Sequence, residues 1–346
     1  MSTGYPTALV GSFPHADDSG LCERIVRQID VPTWPQLPRR CFRENMYVQF
    51  SARLPGIRLD EINEKIIFDT SQDLTPDLEI FYTHYLEEDL DYFALTREYA
   101  IGFDGLLSQL RAHPSQWAKG QVTGPISFGL IGKDQNMRSA LYNEELADAI
   151  VKNVATCARW QIRQFHTVCP NVILSVDEPY MASFGSAYIS LSADQVVSML
   201  GEVFSAIHAE NALACVHCCG NTDWSVLMGT NVDILSLDAY GYVENLALYP
   251  SELRNFLDRN GGIAWGIVPN DEEIKLFTPQ GIADRLHQGM ETIQEKAKGR
   301  GYRITIDDLA ARSIVTPQCG LGSTSVEIAE RVFDVLVETG EILRRG

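Results

Sequence analysis

Short apolar and β-branched runs alternate with longer amphipathic segments along this chain of 346 residues. Short runs of this kind are typical of buried strands, and the longer segments have the period of helices. The eight runs cover residues 7–12, 31–36, 118–123, 171–177, 213–217, 232–238, 262–268 and 313–319. The clearest helical segments are 135–168, 193–210, 278–299 and 324–344. This alternation predicts a parallel sheet, and eight strand–helix units predict a closed (β/α)8 barrel of the TIM type.

An open, doubly wound sheet is the alternative architecture for such a pattern. That fold usually carries a glycine-rich phosphate loop after its first strand. The first run here ends in the sequence VGSFP at 10–14, which is not such a loop. The barrel is therefore favoured, with residues 37–117 as a long α-helical excursion between the second and third strands. No linker or low-complexity tract divides the chain, so we expect a single catalytic domain over residues 1–346.

Composition and charge narrow the range of partners. Apolar residues make up 45% of the chain and charged residues 21%, as in ordinary globular domains. The net charge of −18 argues against nucleic acid as a partner, because phosphate binding requires a basic surface. The first residues show no basic stretch followed by an apolar one, and no run of about 18 apolar residues occurs. We therefore expect a cytoplasmic protein that does not bind membranes and whose eight cysteines are reduced.

Polar residues stand at the ends of most of the predicted strands. In a barrel of this type, the active site lies at the carboxyl ends of the strands. We therefore expect the side chains at these ends to meet on one face of the barrel. They are Ser12, Gln36, Thr123, Asp177, His217, Asp238 and Cys319.

A candidate metal site stands out among these ends. His217 and Cys219 follow one strand, and Cys319 ends another strand much later in the chain. One imidazole and two thiolates are a ligand set that zinc favours, and three protein ligands leave one tetrahedral position open. An open, sulfur-rich site suits the binding of a substrate thiol as a reactive thiolate. The alternative is a buried group of thiols beside a hydrogen-bonded histidine, but a third residue on a separate strand favours the metal site.

The neighbouring polar residues each allow more than one interpretation. In an extended segment, Cys218 points away from the face of His217, and Cys215 lies deeper in the strand, so both are expected to pack in the core. Asp238 could supply a fourth zinc ligand, cap a helix or accept a hydrogen bond from His217. Asp177 and Ser12 could contact a substrate or cap the helices that follow them.

Five short motifs occur along the chain in a recognisable order. They are VGSFP at 10–14, VTGPI at 122–126, VDEP at 176–179, HCC at 217–219 and VTPQCGL at 315–321. With them the chain resembles the cobalamin-independent methionine synthase family, and in particular the catalytic C-terminal barrel of those enzymes. That family belongs to a wider superfamily that also contains uroporphyrinogen decarboxylase and corrinoid-dependent methyltransferases.

The resemblance implies a barrel like those of this superfamily and an enzyme that methylates the thiol of homocysteine. It implies that Gly11 and Ser12 hold the homocysteine carboxylate and that Asp177 binds its ammonium group. The family's homocysteine-binding motif near the second strand is absent here. Gln36 stands in that region and is a further candidate for substrate binding.

The resemblance also implies the catalytic and metal-binding set. His217, Cys219 and Cys319 match the family's zinc ligands, and together with Asp177 they would form the catalytic centre. Asp238 stands near the place of the family's acidic ligand, which is a glutamate in the family.

The parts of the family pattern that handle folate are missing. The tryptophan that stacks on folate falls on Ile131, and the folate-binding glutamate falls on Ser183. The catalytic histidine that precedes the last cysteine has no clear counterpart in the sequence WGIVPN at 265–270. The chain therefore looks like a short, "core" methionine synthase, which takes its methyl group from a corrinoid instead of methyltetrahydrofolate.

We therefore predict zinc-dependent transfer of a methyl group from a methylcorrinoid, either methylcobalamin or a corrinoid protein, to the thiol of homocysteine. Methylcobalt needs no protonated leaving group, which agrees with the loss of the histidine. One alternative is a corrinoid-dependent methyltransferase that acts on another thiol, such as a coenzyme thiol. The others are decarboxylation of a porphyrinogen and a barrel that only binds zinc or a corrinoid.

Overall fold

The computed structural model describes residues 4–18, 20–187 and 189–345 of the chain. In these ranges the strands are β1 (Ile57–Asp60), β2 (Lys65–Phe68), β3 (Trp117–Thr123), β4 (Lys133–Asp134), β5 (Asn171–Asp177), β6 (Leu213–Cys218), β7 (Ile234–Leu237), β8 (Gly262–Val268) and β9 (Ser313–Pro317). The α-helices are α1 (Leu21–Gln28), α2 (Met46–Gln49), α3 (Thr75–Leu86), α4 (Ile101–Ala112), α5 (Pro125–Ile131), α6 (Glu144–His166), α7 (Ala193–Ala209), α8 (Trp224–Met228), α9 (Ala239–Tyr242), α10 (Pro250–Asp258), α11 (Pro279–Gly299), α12 (Ile306–Ala310) and α13 (Val326–Arg345).

A parallel sheet of six strands forms the centre of the protein. Its order is β3-β5-β6-β7-β8-β9, so strands that follow one another along this part of the chain lie side by side. The intervening helices, such as α6 before β5 and α7 before β6, provide the crossover connections that neighbouring parallel strands need. The prediction of a parallel α/β fold related to the TIM barrel is confirmed, with six of the eight predicted strands formed.

The two N-terminal runs differ from the prediction. Residues 7–12 and 31–36 are not regular strands but extended segments that make isolated parallel bridges. The bridges join Thr7 to Val315, Ala8 to Val31, Ser12 to Gln36 and Thr33 to Lys119. Pro32 and Pro35 lack the N–H groups that a continuous ladder needs, and Gly11 has a φ of +153°. The eight regular strands of a closed barrel are therefore not formed, although both segments lie between β9 and β3.

The excursion between the second and third predicted strands is not wholly helical. It contains α2, α3 and α4, but β1 and β2 form an antiparallel hairpin in which Ile57 pairs with Phe68. β4 then pairs in parallel with β2, which makes a separate three-stranded sheet. The runs IRLD and KIIF stand on either side of a four-residue turn, in which Glu64 has a φ of 51°. The prediction of an α-helical excursion is wrong for this hairpin.

Capping residues set the ends of the helices that lead into the sheet. α6 begins at Glu144 because the Asn143 side chain accepts a hydrogen bond from the Leu146 amide, so the predicted helical segment from 135 begins too early. α7 begins with a reciprocal capping box between Ser192 and Gln195. None of the helices in the described ranges is long and apolar enough to cross a membrane.

The interior of the sheet is apolar at its amino end and polar towards its carboxyl end. An apolar layer comprises Ala8, Val31, Ile173, Cys215, Ile234, Ala264 and Ile314. Both N-terminal segments contribute to this layer, so they pack as the strands do. Lys119, Ser175, His217, Ser236 and Thr316 line a small void of about 10 Å³ that adjoins the layer. The burial of Cys215 and Cys218 confirms that both pack in the core.

Gly102 provides a test of how closely the excursion packs on the second N-terminal segment. A methyl group at Gly102, in α4, would overlap the carbonyl oxygen of Pro35 and lie 2.8 Å from Pro35 Cγ. We expect Gly102→Ala to lower the free energy of unfolding by about 1–3 kcal/mol, because overpacking forces the backbone apart. Denaturant unfolding followed by circular dichroism measures this change.

Gly299 is the matched control, because it is also a helical glycine but nothing lies within 4 Å of a methyl group placed there. Gly299→Ala should leave stability unchanged or raise it by up to about 1 kcal/mol through helix propensity. Equal effects of the two substitutions would contradict the close packing of α4 on residues 31–36.

Candidate functional site

Three potential metal ligands meet at the carboxyl end of the sheet. β6 brings His217 to this end and Cys219 follows directly, while Cys319 stands two residues beyond the end of β9. One ligand atom from each of the three lies within 4.8 Å of the others. His217 is buried and the two cysteines are half-buried. The structure therefore brings together the three residues that the sequence singled out.

The imidazole of His217 is oriented for a ligand role. Its Nδ1 lies 2.9 Å from Ser236 Oγ on β7, whereas its Nε2 is buried without a hydrogen-bond partner among the described residues. The tautomer that donates from Nδ1 to Ser236 leaves a lone pair on Nε2. A buried polar atom without a partner costs about 1–3 kcal/mol, and a bound cation would remove that cost. One imidazole nitrogen and two sulfurs are a donor set that fits zinc.

The two sulfurs of this group affect each other's ionisation. The hydrogen bond with Cys319 lowers the pKa of Cys219, and its interaction with His217 lowers that pKa further. The same contact raises the pKa of Cys319, and burial raises it further. One thiolate is thus stabilised by the neighbouring thiol, but a second thiolate needs a cation beside it. Burial raises the pKa of both Cys215 and Cys218 to about 12, so they are poor ligands.

Asp238 lies outside this group of three. Its Oδ1 accepts a hydrogen bond of 2.7 Å from the Gly241 amide, which caps α9. Its Oδ2 lies 3.3 Å from the side-chain nitrogen of Gln318. The structure thus shows Asp238 as a helix cap, and its role as a fourth zinc ligand stays a prediction.

A cavity of about 370 Å³ opens above the candidate metal ligands. Its lining includes His217, Cys219 and Cys319 together with Ser12, Gln36 and Asp177. Gly11 is not itself part of the lining, but its two chain neighbours Val10 and Ser12 both are. A methyl group on Gly11 would lie 3.2 Å from Gln36 Oε1 and 2.9 Å from the side chain of Gln121. Ser12, Gln36 and Asp177 thus surround the same space as the predicted ligands.

Asp177 faces this cavity rather than capping a helix. Its Oδ1 accepts a hydrogen bond of 2.7 Å from Ser175, and no described donor reaches Oδ2. The following residue, Glu178, caps α5 instead, since its carboxylate accepts from the amides of Ile126 and Ser127 at 2.9 and 2.7 Å. Burial raises the pKa of Asp177, although the positive charge of Lys119 opposes this effect. Asp177 is therefore a buried acceptor with one oxygen free for a cationic group.

Ser12 connects the first segment to the loop that carries Cys319. Its carbonyl oxygen accepts from the Leu321 amide at 2.8 Å, and its hydroxyl accepts from the Gly322 amide at 3.2 Å. A methyl group on Gly320 would overlap Ser12 Oγ, so only glycine allows this close approach. Ser12 is therefore part of the support for Cys319 and is not the cap of a following helix.

Two residues of the site were not predicted. Lys119, only 6% exposed, donates from Nζ to the carbonyl oxygen of Val10 at 2.7 Å, and burial lowers its pKa. Its inward position follows from the alternation of β3, so that pattern could have revealed it. Tyr47 lines the cavity from α2 and packs edge-on against Tyr180, with ring centroids 6.5 Å apart. Tyr47 belongs to the excursion, so no strand-end pattern pointed to it.

Comparison with known proteins shows a fold shared with a solved structure. No family model and no curated protein matches the chain. Among solved structures, a B12-independent methionine synthase from Shewanella sp. W3-18-1 in complex with selenomethionine is 16% identical, with a TM-score of 0.60. The match covers 99% of this chain and 98% of that one, so it shows a shared fold over nearly the whole length. A GH5-4 endoglucanase from Clostridium longisporum is 12% identical, with 72% and 77% covered and a TM-score of 0.41.

The three candidate ligands can be tested by metal analysis. We expect the purified protein to hold about one zinc ion per chain, because one set of three ligands is present. Cys219→Ser, Cys319→Ser and His217→Ala should each lose most of this zinc, measured by mass spectrometry of the metal. Cys41→Ser is the matched control, since Cys41 is also a half-buried free cysteine but lies outside the group. Retention of zinc by all three variants would contradict the site.

Proposed function

We propose that the protein is a zinc-dependent methyltransferase that converts homocysteine to methionine with a methylcorrinoid as the methyl donor. The observation that carries this proposal is the group of His217, Cys219 and Cys319, with ligand atoms within 4.8 Å of one another beside a cavity that Asp177 lines. The fold shared with a methionine synthase that binds selenomethionine supports the same substrate class. As part of this proposal, segments 7–12 and 31–36 complete an eight-unit barrel around the site.

The substrate is proposed to bind through both ends of its amino-acid moiety. Asp177 Oδ2 accepts a hydrogen bond from the ammonium group, and the amides of Gly11 and Ser12 donate to the carboxylate. These two amides donate to no backbone acceptor in the described part of the chain, so both are free for an anion. Lys119 holds the preceding carbonyl of Val10 and thereby supports the same loop.

Zinc held by His217, Cys219 and Cys319 would lower the pKa of the substrate thiol from about 8.5, so that the thiolate predominates near neutral pH. Ser236 keeps the imidazole of His217 oriented, and Ser12 keeps the Cys319 loop in place. The substrate sulfur then lies next to the open side of the cavity. The thiol proton is lost to solvent.

The methyl transfer itself needs no acid from the protein. The sulfur of homocysteine attacks the methyl carbon, an S–C bond forms, and the Co–C bond breaks with both electrons remaining on cobalt as Co(I). In agreement with this, His217 is the only imidazole that lines the cavity in the described ranges, and it is occupied as a ligand. Burial raises the pKa of Tyr47, so its hydroxyl is a poor acid. Ile131 and Ser183, at the family's folate-binding positions, do not line the cavity.

An assay with two methyl donors tests the reaction. Zinc-loaded protein with homocysteine and methylcobalamin should form methionine, detected by mass spectrometry, because Co(I) departs without protonation. Methyltetrahydrofolate should give no product above the rate without enzyme. Equal turnover with both donors would contradict the choice of a corrinoid, and the absence of methionine with either donor would contradict the proposed reaction.

The role of Asp177 can be separated from that of the metal ligands. We expect Asp177→Asn to raise KM for homocysteine by about 10–100-fold, since a hydrogen bond between charged groups contributes about 1.5–3 kcal/mol. Zinc content should stay unchanged. Asp238→Asn is the matched control and should change KM little, because asparagine also caps helices. If Asp177→Asn leaves homocysteine turnover intact, an acceptor thiol without an amino group, such as a coenzyme thiol, becomes the better hypothesis.

A further inference from the structure

The side-chain amide of Gln36 has a single possible orientation. Its Nε2 donates to Gln49 Oε1 at 2.7 Å, and Gln49 Nε2 donates to the backbone carbonyl of Tyr99 at 2.7 Å. A carbonyl oxygen can only accept, so the nitrogen of Gln49 must face Tyr99 and its oxygen must face Gln36. The nitrogen of Gln36 must then face Gln49. The oxygen of Gln36 is left without a partner from this pair.

This pair of amides is held rigidly. Gln36 is 5% exposed and Gln49 is 2% exposed, so water cannot readily replace their mutual hydrogen bond. Gln49 ends the short helix α2, and Asn45 caps that helix by accepting from the Tyr47 amide. Thr123 Oγ1 donates to the carbonyl of Met46 at 2.6 Å, which joins α2 to β3. The direction of the Gln36 amide therefore depends on the placement of α2 on the sheet.

The oxygen of Gln36 has no hydrogen-bond donor among the described residues, yet it is not one of the fully enclosed polar atoms without a partner. Gln36 lines the same space as Asp177, and no donor among the described residues reaches Gln36 Oε1. Asp177 likewise has one oxygen without a donor. Two acceptors around one cavity match a group with several N–H donors, and an ammonium group has three.

We propose that Gln49 is a positioning residue that makes the site selective for thiols carrying an ammonium group, because it holds Gln36 with its oxygen towards the substrate. This inference rests on the proposed function and narrows the acceptor to an amino-acid thiol. If Gln36 turned over, its NH₂ group would face the ammonium group, and two donors cannot form a hydrogen bond. Gln49 thus acts through Gln36 and does not touch the substrate.

Equilibrium binding of two probes tests this selectivity without turnover. The probes are L-methionine and 4-(methylsulfanyl)butanoate, which differ only in the amino group, and binding to the zinc-loaded protein is measured by calorimetry. The protein should bind methionine at least about tenfold more tightly than the analogue, as expected for a hydrogen-bonded charged group. Gln36→Met should lower this preference by about tenfold, and Gln49→Met by several-fold.

The double variant distinguishes positioning from a general structural effect. In the Gln36→Met background, Gln49→Met should not lower the preference further, because its effect passes through Gln36. Gln161→Met is the control: Gln161 is also fully buried, bonds to Trp34 and to the carbonyl of Gln121, and does not line the cavity. It should leave the preference unchanged even if stability falls.

Two results would overturn the proposal in distinguishable ways. If Gln49→Met weakens binding of both probes equally, or its effect adds fully to that of Gln36→Met, Gln49 has no positioning role, and the proposed function is unaffected. If the unmodified protein binds neither probe, the proposed function fails and this inference fails with it.

Discussion

Two cysteine sulfurs and one imidazole nitrogen lie within 4.8 Å of one another, and the surrounding structure serves to keep them there. Such a group is unfavourable by itself, because the buried nitrogen lacks a hydrogen bond and two neighbouring thiolates repel each other. A divalent cation removes both costs at once. The group is therefore better explained as a metal site than as part of an inert core.

The support for this group comes from several parts of the chain. Ser236 on β7 orients His217, while the Cys319 loop is held through Ser12 by the amides of residues 321 and 322. Asn270, after β8, donates to the carbonyl of Gly320 at 3.1 Å. The extended segment 7–12 thus forms part of the site, although it does not form a regular strand. Its irregular backbone leaves the amides of Gly11 and Ser12 without backbone partners among the described residues, which a continuous ladder would not allow.

The polar interior near the candidate metal ligands would allow a charged substrate to be accepted there. Asp177 and Lys119 place opposite charges inside the sheet, and each shifts the pKa of the other towards its charged form. The amides of Gln36 and Gln49 add a neutral acceptor whose direction is set by the Tyr99 carbonyl. Because Gln36 and Gln49 are almost fully buried, the direction of their hydrogen bonds has a greater effect here than it would at the surface. The excursion between the second and third predicted strands supplies α2, which carries Tyr47 and Gln49, so the excursion forms part of the site.

The amino-acid sequence alone determined the parallel α/β class and the positions of six strands, because hydrophobic alternation and strand length are local properties. It also determined that His217, Cys219, Cys319 and Asp177 would meet, because parallel strands end at the same edge. Only the tertiary structure decided that Asp238 caps α9, that residues 57–68 form a hairpin and that Gln49 orients Gln36. Those outcomes depend on which donors and acceptors from distant segments come within hydrogen-bonding distance, and a local pattern carries no information about such partners.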